Sequence, residues 1–230
     1  MKIGIMGLAG AGKDTFAEYL LQYMPGYRIE KFAAPLKNAA YRLFGSTFDD
    51  RNVKEVLTTV CAEDCDDAVA LCLGELGLPP MSNIQQLIYD VFSTDDGENY
   101  PESPITTSPR RFQQLLGTEV CRAIDPDCFV KRIDAMHQVI VTDCRFQNEM
   151  DAMDEILLVV RPGVAPVSSH ESERLAAELT QAYLDCDETR FMFMGRVIHV
   201  IDNSGSLAGL ERIAKFISPC LLDKNQNDVL

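Results

Sequence analysis

Residues 7–15 read GLAGAGKDT, directly after the apolar run KIGIM at 2–6 and at the head of the pattern KDTFAEYLLQYM at 13–24. In that pattern Phe16, Leu20, Leu21 and Met24 recur at helical intervals, so the three stretches predict a strand, a tight glycine turn and a helix. The spacing Gly7-x-x-x-x-Gly12-Lys13 gives the turn its chemistry. Backbone N–H groups at a helix start carry partial positive charge, and glycines let them approach an anion closely. Lys13 then reaches terminal phosphates as a mobile cation, the arrangement of a phosphate loop. One residue resists the pattern: Asp14 stands where serine or threonine is usual.

Outward from that loop the chain keeps alternating strand and helix patterns. YRIEKF (27–32) predicts a second strand and APLKNAAYRLFG (34–45) a second helix closed by Gly45. Residues 46–105 are less regular, with an acidic helix near 53–73, a break GELGLPP (74–80), a helix near 82–92 and the polar loop STDDGENYPESP. SPRRFQQLLGTEVCRAI (108–124) offers Ser108 as an N-cap and Pro109 at the first helical position, with Phe112, Leu115, Leu116 and Val120 on one face. DPDCFVKRIDAM (125–136) repeats the device with Asp125 and Pro126. QVIVTD (138–143) predicts a strand, FQNEMDAM (146–153) a helix and EILLVV (155–160) a strand. RPGVAPVSSHESER (161–174) reads as a loop entering a helix, RVIHVID (196–202) as the last strand and SLAGLERIAKFI (206–217) as the last helix. TRFMFMG (189–195) reads as core or lobe packing, and the tail LLDKNQNDVL as loosely held. The expected fold is α/β, with a central, mostly parallel five-stranded sheet covered on both faces and ligands at the carboxyl ends of its strands.

At 230 residues, 47% hydrophobic and 24% charged, the chain can build one substantial core, read as one domain over 1–230 with 46–105 as an inserted, acceptor-side lobe. A formal charge of −14 makes duplex nucleic acid and anionic membrane poor partners, while a pocket for a small anion is unaffected by the net charge. The cysteines at 61, 65, 72, 121, 128, 144, 186 and 220 contain no C-x-x-C pair, so free thiols in a reducing cytoplasm are expected. His137, His170 and His199 do not join them at zinc-site spacing. Glycines interrupt the apolar N-terminus, and no stretch approaches the roughly 18 apolar residues of a membrane helix; the expectation is a soluble, intracellular protein.

Four further groups of residues bear on chemistry. Asp143 closes the apolar run QVIVTD, where phosphate-loop proteins hold a magnesium ion or its water shell, and Arg145 is placed to clamp a phosphoryl group. The alternative is an N-cap aspartate followed by a surface arginine. Arg110 and Arg111 fall in the first turn of their helix, where cations oppose its dipole and call for a compensating anion, acid or solvent. Lys37 follows the second strand, and Arg161 and Arg174 bracket a Pro/Gly segment of the kind that closes over phosphates. His199 alternates with apolar neighbours and reads as a core or edge histidine, His170 is open, and no N-K-x-D guanine motif occurs.

Taken together, GLAGAGKDT, FAAPLKNA, RRFQQLLGTEVCRAIDPDCFVKRI, VIVTDCRFQNEMDAM, VVRPG with HESE, and VIDNSGSLAGL resemble the bacteriophage-type deoxynucleoside monophosphate kinases. The segments lie in the order of that family and span nearly the whole chain except 46–105. The resemblance implies a phosphate-loop fold with ATP on Gly10, Ala11, Gly12, Lys13, Asp14 and Thr15, and magnesium near Thr15 and Asp143. It implies an acceptor nucleotide surrounded by Lys37, Arg110, Arg111, Gly117, Thr118, Phe129, Arg132, Arg145, Asn148 and Glu149. It places DNSGS (202–206), with Asn203, near the adenine of ATP and makes the segment from Arg161 to 195 a lid, although 175–195 is longer than a compact lid. In such kinases glycine and then threonine commonly follow the lysine, so Thr15 is the counterpart of the usual hydroxyl and Asp14 need not replace it.

The expected reaction moves the γ-phosphoryl group of ATP to a nucleoside monophosphate, with Lys13, Asp143 and Arg145 in the catalytic roles, in the cytoplasm of a host if phage-encoded. A homodimer is compatible with the sequence. A dephospho-coenzyme A kinase, which also carries a VIDNSGS-like segment, and a nonenzymatic ATP-binding module stay open as alternatives.

Overall fold

The computed structural model describes residues 1–45, 50, 52–80, 104–165, 171–186 and 188–227, without the side chains of 171–173 and 225–227. The helix expected near 82–92, most of the STDDGENYPESP loop and His170 lie outside these residues. The chain forms two compact units, one of Met1–Phe32 with Ile133–Leu230 and one of Ala33–Arg132.

The first unit is built on a six-stranded sheet in the order β2-β5-β1-β6-β8-β7. Its strands are β1 (Lys2–Met6), β2 (Arg28–Glu30), β5 (Val139–Val141), β6 (Glu155–Val160), β7 (Arg190–Phe193) and β8 (Arg196–Asp202). Every pairing is parallel except that of β7 with β8. β1 occupies the middle, in register Ile3↔Ile140 with β5 and Ile5↔Leu157 with β6. Its Ile3, Ile5 and Met6 are fully buried, as continuous apolar runs are in a sheet covered on both faces. Two helices flank this centre: α1 (Lys13–Gln22) and the C-terminal α8 (Leu207–Asn227), while α7 (Glu171–Cys186) lies between β6 and β7 in the chain. Phe16, Ala17 and Leu20 of α1 share one core cluster with Leu210, Ala214 and Leu221 of α8. Each large apolar side chain in that cluster contributes about 1.5–3 kcal/mol by leaving water.

Six strands stand where five were expected. The added one is β7, from the TRFMFMG stretch read as packing. Its burial alternates, with Phe191 and Phe193 half-buried and Met192 64% exposed, so the Met/Phe run is an edge strand and not a core plug. The turn to β8 has positive φ at both Met194 (46°) and Gly195 (77°), the geometry of a two-residue hairpin that matches strand twist. The last helix also runs longer than expected, through Pro219 to Asn227, where a loosely held tail was anticipated. Lys224 ties this end down by donating to Glu155 Oε1 at 2.6 Å.

The second unit holds α2 (Ala34–Phe44), β3 (Thr58–Val60), α3 (Ala62–Glu75), β4 (Ile105–Thr107) and α4 (Pro109–Leu115). β3 and β4 form a separate antiparallel ribbon that the sequence reading did not anticipate, with the Thr59 and Thr106 hydroxyls 3.0 Å apart. The expected cap of α4 is present: Ser108 Oγ accepts from the Arg111 N–H at 3.2 Å, with Pro109 next. α4 then passes into a π-helical turn, Leu116–Cys121, and a final turn, Arg122–Ile124. Gly117 packs close to α2 there: a Cβ on it would lie 3.0 Å from the Cδ1 end of Leu36, which would have to shift slightly. The next helix, α5 (Cys128–Asp134), begins later than expected. Asp125 Oδ1 accepts from the Asp127 N–H at 3.0 Å, so Asp125 and Pro126 form a turn ahead of the helix and not its cap and first residue.

Candidate functional site

The turn from β1 to α1 takes its shape from three glycines with positive φ: Gly7 at 140°, Gly10 at 84° and Gly12 at 98°. At Gly7 the requirement is also steric, since a Cβ would lie 2.3 Å from the backbone oxygen of Val159 in β6. Gly12 is the N-cap of α1 and provides no side-chain cap, so the first N–H groups of α1 are left to an outside acceptor. Lys13 Nζ donates to the carbonyls of Gly7 at 2.7 Å and Leu8 at 2.9 Å, which folds the ammonium back over the turn. A strand, a left-handed glycine turn, a helix N-terminus and an overlying lysine therefore meet as the sequence pattern required.

Asn203, at the end of β8, braces the turn from the other side. Its Nδ2 donates to the Ala11 carbonyl at 2.8 Å, while its own N–H donates to Val160 O at 2.8 Å. The residue expected near a nucleotide base thus holds the loop to β6. Arg161, which follows β6, is exposed.

Asp14 and Asp143 lace together the carboxyl ends of β2 and β5. Asp14 Oδ1 accepts from Lys31 Nζ and from Thr142 Oγ1, both at 2.9 Å. Asp143 Oδ1 accepts from the Phe32 N–H at 2.7 Å. Burial pushes the Asp14 carboxyl up, but the Lys31 bond and charge, the Thr142 bond and the Lys13 charge outweigh it and hold the group below its ordinary value. Lys31 and Thr142 were not singled out from the sequence. Their signal was position: each stands at a strand end, and Thr142 directly precedes Asp143.

Beyond Asp143 the chain enters α6 (Gln147–Asp151). Glu149 is buried and its Oε2 accepts from the N–H groups of Arg145 at 2.8 Å and Phe146 at 3.2 Å. This carboxylate fixes the backbone of the turn that carries the exposed Arg145. Asn148 Oδ1 accepts from the Glu149 N–H at 3.0 Å.

The remaining expected residues belong to the second unit. Arg110 is paired with Glu55, so an acid supplies the compensation its place in the first turn calls for. Arg111 is exposed and has no ion-pair partner among the described residues. Thr118, inside the π-helical turn, donates to Gln114 O at 2.8 Å; such turns recur at functional sites. Phe129 is buried with the Arg122 guanidinium 4.8 Å over its ring, a packing contact. Lys37 and Arg132 are half-buried.

No protein-family model matches the chain. A protein of Acanthamoeba polyphaga mimivirus named "Putative deoxynucleotide monophosphate kinase" is 28% identical over 212 residues, covering 89% of this chain and 98% of its own. Among the described residues no helix is long and apolar enough to cross a membrane. The α/β fold with its mostly parallel sheet is that of a phosphate-loop kinase, and the likeness along nearly the whole chain supports a nucleotide kinase.

Proposed function

We propose that this chain transfers the γ-phosphoryl group of ATP to a (deoxy)nucleoside 5′-monophosphate, giving the diphosphate for nucleotide biosynthesis in the cytoplasm, that of a host if the gene is viral. The observation that carries the reading is the turn at residues 7–13: three left-handed glycines, an uncapped α1 N-terminus and Lys13 folded over them. The likeness to the mimivirus protein supports the acceptor class.

In this reading the N–H groups of residues 10–15 cradle the donor phosphates, and Lys13 leaves its two carbonyl partners for the β- and γ-oxygens. Arg145 clamps the moving phosphoryl group, positioned by Glu149 through the backbone. Lys37, Arg110, Arg111, Gly117, Thr118, Phe129, Arg132, Asn148 and Glu149 form or support the acceptor site, with Arg111 the direct phosphate ligand. A monophosphate oxygen is already nucleophilic at neutral pH, so it attacks phosphorus in line and ADP leaves, with no strong general base required. The segment from Arg161 to 195 closes to exclude water, which would otherwise accept the phosphoryl group.

Magnesium fits the donor set. Thr15 and Asp143 are oxygen donors, and Mg2+ takes one or two such protein ligands together with phosphates and water. Thr15 and Asp143 would hold such an ion, which would supply neutralisation of phosphate charge.

The test is ADP release from ATP and magnesium with each deoxy- and ribonucleoside monophosphate, and separately with dephospho-coenzyme A. Turnover with a monophosphate, lowered at least roughly 10²-fold by Lys13→Ala, is expected. Turnover only with dephospho-coenzyme A, or with no acceptor, overturns the reading.

A further inference from the structure

The glycine turn is tied to the end of β6 at two points. At the first, Gly7 packs so close to Val159 O that a Cβ would lie 2.3 Å from it. The second runs through Asn203, which follows β8: its N–H donates to Val160 O at 2.8 Å and its Nδ2 to Ala11 O at 2.8 Å. With its main chain held on β6, the Asn203 side chain reaches the loop from a fixed base. Only the amide nitrogen can donate to a carbonyl, so the contact also fixes which way the amide is turned. The same nitrogen packs against Gly12, where a Cβ would stand 2.5 Å from it.

This bond governs the next group along the chain. Ala11 C=O and Gly12 N–H belong to one planar trans peptide, so they point in opposite directions. Holding the carbonyl toward Asn203 turns the Gly12 N–H the other way, and that N–H has no hydrogen-bond partner among the described residues. Rotating the peptide plane by half a turn would exchange the two groups. Gly12, with φ 98° and no Cβ, takes negative φ as readily, so its side of the peptide does not resist the flip. The peptide just ahead of Lys13 thus has two orientations open to it, one presenting a donor to an anion and the other a carbonyl oxygen. The Asn203 amide bonds only the first.

We propose that Asn203 is a positioning residue: by holding Ala11 O it locks the Ala11–Gly12 peptide with its N–H toward the triphosphate, and without it the loop divides between an anion-accepting and an anion-repelling form. The inference rests on the phosphate-loop reading above. It gives Asn203 an effect that passes through the backbone to the phosphates and is the same whatever base the donor carries.

The experiment titrates ATP, and inorganic tripolyphosphate as a ligand without a base, into wild type, Asn203→Ala and the isosteric Asn203→Asp by calorimetry. Both substitutions should weaken both ligands, Asn203→Ala by the same factor for each, on the order of 10- to 100-fold for one donor lost to a charged acceptor. Asn203→Asp should lose at least as much, because its carboxylate cannot donate to Ala11 O. A second measurement needs only the wild type: in amide nitrogen–proton magnetic resonance spectra, saturation with tripolyphosphate should move the Gly12 proton signal downfield. Weakening of ATP alone in Asn203→Ala would put Asn203 on the base and overturn the inference, as would unchanged binding of both ligands or a Gly12 signal that saturation leaves in place. A wild type that binds neither ligand overturns the phosphate-loop reading and the lock with it. One that binds both and shows these losses, but transfers to no monophosphate, overturns the kinase reading and leaves the lock standing.

Discussion

Gly7→Ala should unfold the protein at a much lower temperature than Gly10→Ala, although both place a methyl group on a left-handed loop glycine. At Gly7 two penalties combine. A φ of 140° is a conformation L side chains avoid at about 1–3 kcal/mol. The new Cβ would also stand 2.3 Å from Val159 O, a backbone atom of a central strand that no rotamer change can move aside. Forced overpacking of this kind costs about 1–3 kcal/mol, which makes a central value of about 4 kcal/mol for the pair. At Gly10 the φ is 84° and nothing lies within 4 Å of a Cβ. The conformational cost of about 1–2 kcal/mol is partly offset by about 0.4–1 kcal/mol from the stiffer unfolded chain. At about 2–4 °C per kcal/mol for a chain this long, Gly7→Ala should lower Tm by roughly 8–16 °C and Gly10→Ala by only a few degrees. Differential scanning calorimetry of the two variants beside wild type reads this directly. Midpoints within about 3 °C of each other would refute the claim that β6, and not backbone conformation alone, dictates glycine at position 7.

Arg145→Ala should leave ATP affinity near wild type while turnover falls at least roughly 10²-fold; an effect confined to ATP binding would place Arg145 on the donor. Glu155 bears on acid stability. The His199 ring, 3.2 Å away, and the Lys224 ammonium hold its carboxyl at about 2, below the usual 4.5, against the upward push of its partial burial. A depressed carboxyl stabilises the fold fully above pH 4.5 and progressively less as pH falls toward 2. The shift corresponds to about 3 kcal/mol at most and nearer 1–2 kcal/mol after solvent screening, so Glu155→Gln should flatten the fall of Tm between pH 5 and 3; a parallel fall would refute it. Of the eight cysteines, Cys61, Cys186 and Cys220 are exposed and five are buried, so a thiol reagent should titrate three quickly and the rest only on unfolding. More than three fast thiols would contradict the burial.

The parts of the fold legible in the sequence are those where one local rule decides. KIGIM, the glycine turn and KDTFAEYLLQYM each carry their own signal, and the Ser108 cap forms where a serine precedes proline and a helical period. The π-helical turn was illegible because LGTEVC continues the same helical period as α4, and nothing in residues 116–121 marks the change of winding. β7 was misread because Phe and Met are apolar wherever they lie, and only the hairpin partner shows that Met192 faces outward. Glu149 was placed beside the acceptor by resemblance alone, and the contacts of its buried carboxylate with the Arg145 and Phe146 amides depend on a turn that no local pattern encodes. Asn203 was placed by motif alone, and its contact with Ala11 depends on a pairing of β6 and β8 that no local pattern encodes.

Asp14 shows how tertiary contacts settle what the loop pattern left open. A lone carboxylate one residue beyond Lys13 would repel a polyphosphate at close range, and in a low-dielectric pocket the repulsion would be severe. Here the acid is drawn sideways. Lys31 cancels its charge, Thr142 fixes the same oxygen, and the first turn of α1 is where a carboxylate suits the helix dipole. Its two partners precede Phe32 and Asp143, which bond to each other, so the acid ties the start of α1 to the ends of both β2 and β5. Its charge is balanced within the protein, which leaves the uncapped N–H groups and Lys13 as the field an anion meets. A serine at position 14 could not form that ion pair. The acid is thus part of the frame that keeps the cradle in place, and it need not touch phosphate to be required there.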